Sequence, residues 1–88
     1  MRLSENDLNV IKILENIDSE GSISKASEVV NIKPGTGRNL ISKLEKELGI
    51  EIVASIAFEG SKLTSKGKKL LRRYHKAQRF INRMNKPL

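Results

Sequence analysis

Between Asn31 and Gly49 the chain reads NIKPGTGRNLISKLEKELG, and the side chains there that could do chemistry are Thr36, Arg38, Asn39, Ser42, Lys43 and Lys46. They are hydroxyl, amide and cationic groups, suited to reading donor and acceptor patterns and to pairing with anions. An arginine fork can span the two acceptors of a guanine edge, and an asparagine can match an adenine edge, in the major groove of DNA. Serine, threonine and lysine can reach bases or phosphates. Acid–base or nucleophilic chemistry finds no such grouping. His75 is the single histidine, there is no cysteine, and no serine or lysine stands with a partner base. Glu45 and Glu47 do not read as a catalytic pair. We therefore expect no enzyme, no metal and no cofactor.

The glycines in this stretch admit a second chemistry, a phosphate-binding loop. GTGRNL has G-x-G but lacks the third glycine, and it follows a helix and a turn rather than a strand. No G-x-x-x-x-G-K-[ST] occurs, so a nucleotide-binding loop is set aside. On a helical wheel Gly37, Ile41, Leu44 and Leu48 share the inward face. Gly35, Asn39, Lys43 and Lys46 point outward, flanked by Thr36, Arg38 and Ser42. Pro34 suits the first helical turn. Gly35 and Gly37 would let a phosphate approach backbone N–H groups at the helix front. The alternative is that they ease packing against the preceding helix.

These residues need elements to hold them. Ser4-x-x-Asp7 opens a helix with a capping pattern, and Val10, Ile11, Ile13, Leu14 and Ile17 form its apolar stripe. Gly21 ends it. Ser22 caps a short helix whose Ile23, Ala26, Val29 and Val30 can face inward, and Ile32 anchors the turn that follows. The helix from Pro34 stops at Gly49. IEIVASIAFEGSKLT reads as a β-hairpin with Glu59-Gly60 as its turn. Thr64 or Ser65 caps a last helix, which Pro87 closes. The expected core spans residues 8 to 63. Short helix, tight turn, longer helix and hairpin make a winged helix-turn-helix.

The 88 residues carry a net charge of +7, unevenly placed. Residues 1–59 hold seven cations and ten acids, a net −3; residues 60–88 hold ten cations and no acid, a net +10. Such a basic block points to a polyanion partner. No apolar run approaches the roughly 20 residues of a membrane span, and MRLSENDLNV is too polar for a signal peptide. A cytoplasmic, nucleoid-associated protein is expected.

GSISKASEVVNIKPGTGRNLISKLEKELGIEIV, followed by LTSKG, resembles the N-terminal winged helix-turn-helix domain of LysR-type transcription regulators; the DNA-binding domain of molybdate-responsive regulators is a related form. Ser22, Ala26, Ile41, Leu44, Glu45, Leu48, Gly49, Leu63, Thr64 and Gly67 agree with the family pattern, which runs without a gap from Gly21 to Val53. Arg38 stands where the family has a DNA-facing serine, Gly37 replaces an apolar residue, Val53 and Ser55 replace a phenylalanine and an arginine at the wing, and the proline is shifted to Pro34. The resemblance implies a structural role for Glu45 and an antiparallel pairing of the last helix in a dimer. It covers no effector-binding domain, so a stand-alone domain without a small-molecule sensor is expected.

In the last helix Leu70, Tyr74, Ala77, Ile81 and Met84 are spaced 4, 3, 4, 3, a heptad seam. We read a mainly α fold with a small β-hairpin: a winged helix-turn-helix over 1–64 and a long dimerisation helix over 65–88. The expected function is that of a homodimeric, sequence-selective double-stranded DNA-binding transcription regulator. The alternatives are an architectural chromatin-type protein of low specificity and a winged-helix module that binds protein. Candidate DNA contacts are Ser22, Ser24, Lys25, Pro34, Gly35, Thr36, Arg38, Asn39, Ser42, Lys43 and Lys62; Leu70, Tyr74, Ala77, Ile81 and Met84 form the expected dimer interface.

Overall fold

The computed structural model describes residues 3–85. The elements run α1 (Glu5–Glu20), α2 (Ile23–Val29), α3 (Pro34–Leu48), β1 (Val53–Ile56), β2 (Gly60–Leu63) and α4 (Ser65–Met84). This is a winged helix-turn-helix with a long final helix. Pro87, expected to close that helix, lies outside the described residues. Among them no helix is long and apolar enough to cross a membrane.

Local chemistry sets the helix ends. Ser4 Oγ accepts from Asp7 N–H while the Asp7 carboxylate accepts from Ser4 N–H, a reciprocal cap. Gly21 and Gly49 end α1 and α3 in the left-handed conformation, with φ of 81° and 65°. Ser22 caps α2 and Thr64 caps α4, each hydroxyl accepting from the backbone N–H three residues on. Asn31, at φ 61°, turns the chain between α2 and α3; asparagine is among the few non-glycine residues that tolerate this.

α1 is the central pillar. Val10, Ile13, Leu14 and Ile17 pack with Ala26 of α2, Ile41 of α3 and Ile52 before β1. Each large aliphatic buried there contributes roughly 1.5–3 kcal/mol. Glu45 links α3 to the strand that follows: its Oε2 accepts from Ile52 N–H at 2.8 Å and Val53 N–H at 3.4 Å. The carboxylate thus substitutes for a strand partner that the two-stranded sheet lacks on this side.

Four expectations change. Val29, expected to face inward, is 55% exposed at the end of α2. Leu48 remains 46% exposed, because it lines an open groove that Ile50 and the start of α4 around Leu70 only partly cover. The core does not end at residue 63: Leu70, Leu71 and Tyr74 of α4 pack against it. The hairpin turn is centred two residues earlier, on Ala57-Phe58 and not on Glu59-Gly60. Glu59 N–H bonds to Ile56 O, and Phe58 takes the left-handed conformation at φ 65°. Gly60 already pairs with Ile56 as the first residue of β2. It closes the turn in the left-handed conformation at φ 80°, and its lack of a side chain also serves a close approach, since a Cβ there would lie 2.3 Å from Gly21 O.

Candidate nucleic-acid interface

α3 begins at Pro34 with Lys33 as an N-cap whose side chain makes no capping bond. The N–H groups of Gly35 and Thr36 therefore have no protein acceptor among the described residues. The two glycines of this turn do different work. Gly37 is buried, and a Cβ there would sit 2.1 Å from Ser27 Oγ, so its absence lets α3 close onto α2. Gly35 faces open space. The expected approach of a phosphate is thus geometrically open at Gly35; at Gly37 it is excluded by the packing it makes possible.

Beyond that turn, Thr36, Arg38, Asn39, Ser42, Lys43 and Lys46 are all exposed. Arg38 reaches across to α2, where its Nη2 donates to Ser24 Oγ at 2.7 Å. The guanidinium is therefore held at the junction of the two helices with donors left over. Ser22 spends its hydroxyl as the α2 cap, at 3.1 Å from Lys25 N–H, and Lys25 beside it is exposed. The wing joins the same edge. Ser61 N–H donates to Gly21 O at 2.7 Å, immediately before Ser22. A continuous line thus runs from the wing through Gly21 and the front of α2 to Arg38 on α3.

Two candidates stand apart from this line. Lys62 is half-buried and its Nζ donates to Asp18 O at 3.0 Å, while the Asp18 carboxylate accepts from Leu63 N–H. Lys62 thereby fastens the wing to the end of α1. Lys43 lies on the far flank of α3, lining a shallow groove with Leu40, Leu44, Glu47, Asp7 and Tyr74. In that groove burial, and then the neighbouring Asp7 and Glu47 carboxylates, push the Tyr74 phenol above its ordinary value.

Phe58 was missed in the sequence. It is fully exposed at the wing tip, next to half-exposed Ile56. The signal available was a phenylalanine with no partner at strand spacing, masked by the glycine that drew the turn assignment two residues on. The expected seam on α4 is divided. Leu70 and Tyr74 face their own body. Ile81 is half-buried beside Leu3 and Leu8, and Phe80 and Met84 are largely exposed. His75, the lone histidine, sits 3.5 Å from the Glu15 carboxylate of α1 at the surface.

No family model and no curated protein sequence matches the chain. Solved structures do. The DNA-binding domain of BenM, solved in complex with benA site 1 DNA, superposes with a TM-score of 0.69 at 23% identity, over 88% of each chain. The CbnR DNA-binding domain in complex with DNA gives 0.69 at 17% identity, over 85% of each. CrgA, a LysR-type transcriptional regulator from Neisseria meningitidis, gives 0.58 at 24% identity, over 96% of this chain and 26% of its own. Full-length CbnR, a LysR family transcriptional regulator, is likewise covered over 26%. At these identities the likeness establishes the fold: the chain has the architecture of LysR-family DNA-binding domains.

Proposed function

We propose that this protein is a double-stranded DNA-binding transcription regulator that acts as a homodimer. The observation that carries this reading is the exposed edge formed by the front of α3, the front of α2 and the wing, whose α3 arc from Arg38 through Asn39 to Lys43 contains no acid. The BenM and CbnR DNA-binding domains, which share the fold, were solved in complex with DNA. In this reading α3 enters the major groove. Arg38 and Asn39 read base edges, Thr36 and Ser42 assist them, and the Gly35 and Thr36 N–H groups, Lys25 and, from the far flank of α3, Lys43 meet phosphate. Ser22, Ser24 and Pro34 shape the edge, and the wing lies beside the backbone. Phe80, Ile81 and Met84 supply the dimer contact along α4.

Binding should weaken steeply with salt, the slope of log K against log salt being about −0.9 for each phosphate neutralised. Fluorescence anisotropy on preferred and random duplexes tests this. A flat response would reject the nucleic-acid reading, and equal affinity for both duplexes would replace sequence selectivity by an architectural role. Met84→Asp, at an exposed position, should leave the circular dichroism spectrum of the folded domain unchanged. It should abolish the dimer in light scattering and lose the joint engagement of two half-sites.

A further inference from the structure

α4 carries eight lysines and arginines and no acid over its 20 residues. At roughly 100° per residue, Lys68, Arg72, Lys76, Arg79 and Arg83 fall within an arc of about 80°. All five are exposed, and none forms an ion pair among the described residues. Solvated helix faces ordinarily mix signs. Here successive members are three or four residues apart, the spacing at which like charges repel on a helix. Nothing within the helix relieves that repulsion. The stripe is also directed away from the interface described above. Tyr74 points into the groove against Leu40, Leu44 and Glu47 of α3, and the stripe is centred on the opposite side of α4. Phe80, Ile81 and Met84 lie outside the arc, so a partner helix seated on them leaves the stripe open.

We propose that this stripe is a second nucleic-acid backbone site, and that the protein uses it to hold a second duplex segment against the one bound by α3. The proposal rests on the DNA-binding reading and adds a bridging activity to it. From Lys68 to Arg83 the helix rises about 22 Å. That length of duplex carries on the order of a dozen phosphates, enough to face all five cations. No apolar side chain falls inside the arc, so it has nothing to insert into an acyl layer, and a nucleic-acid backbone fits it better than a lipid surface.

The test uses a biotinylated duplex on beads, a labelled free duplex, and the full chain. Wild-type protein should capture the free duplex on the loaded beads. The combined variant Arg72→Glu, Lys76→Glu, Arg79→Glu should lose that capture by at least about tenfold, yet bind a single short duplex within about threefold of wild type at moderate salt. Its circular dichroism spectrum should match wild type, since all three side chains are exposed. Wild type that binds no single duplex would remove the DNA reading itself. Wild type that binds one duplex but captures no second would remove the bridging site alone. Undiminished capture by the variant would overturn it, as would a loss of single-duplex binding equal to that of Lys25→Ala. Sedimentation with phosphatidylglycerol vesicles in place of duplex capture would assign the stripe to lipid and overturn it too.

Discussion

α3 and α4 both present cations to solvent, but the two helices are made in different ways. The outer face of α3 depends on contacts with other elements. Gly37 lets it close onto Ser27, Glu45 ties its far end to Ile52 and Val53, and Arg38 is aimed by Ser24. The outer face of α4 depends on composition: eight cations, no acid, and an apolar face of which the first half reaches the core. One helix should therefore be sensitive to small changes in geometry and the other to changes in total charge.

The largest departure is expected at Gly37. Gly37→Leu places carbon where Ser27 Oγ already sits and should push α3 off α2. The expected cost is about 3 kcal/mol, seen as a lower melting temperature together with lost DNA binding. Arg79→Ala on α4 should move the melting temperature hardly at all. Equal effects at the two positions would break the contrast.

Glu45→Ala comes next. It leaves the Ile52 N–H buried without an acceptor and should cost about 2 kcal/mol in denaturant unfolding, with Glu45→Gln recovering part of this through its remaining oxygen. Full stability in Glu45→Ala would show that the strand is held by the core alone.

Arg38→Ala should then reduce discrimination between preferred and random duplex by about 1–2 kcal/mol, whereas Lys25→Ala should weaken both alike. Titrations on both duplexes separate these outcomes. Equal losses for Arg38→Ala would make α3 resemble α4, a surface that reads charge and not sequence.

The smallest effect sharpens the α2–α3 contact. Ser27 Oγ is fully buried with no hydrogen-bond partner among the described residues. Ser27→Ala should be neutral or stabilising by under about 1 kcal/mol in thermal melts, because the hydroxyl makes no bond that offsets its desolvation. A clear loss would mean that the hydroxyl has a partner.

Much of the fold was legible because its signals are local. The Ser4 and Ser22 caps, the stops at Gly21 and Gly49, and the stripe from Val10 to Ile17 each depend on residues within a few positions of one another. They stand where periodicity and capping place them. The wing was read less well because its glycine answers to a distant atom. Gly60 is held to glycine by Gly21 O, 39 residues earlier, as well as by its own φ of 80°, and the turn itself is centred at Phe58. Leu48 matches the inward face of its helix, but α4 reaches it only from one side and leaves it half-exposed.

By itself the sequence determined the element order, the basic character of α4 and the outward set on α3, since periodicity and charge are properties of the chain alone. Tertiary structure decided which of those residues can work together. Arg38 meets Ser24 because α2 and α3 close at Gly37. Lys62 is tied to α1 because the end of that helix offers it the Asp18 carbonyl. The inward side of α4 meets the core as far as Tyr74, and Ile81 beyond it lies beside Leu3 and Leu8. Each of these outcomes joins residues more than ten positions apart, and only the packing of one element on another brings such groups within reach.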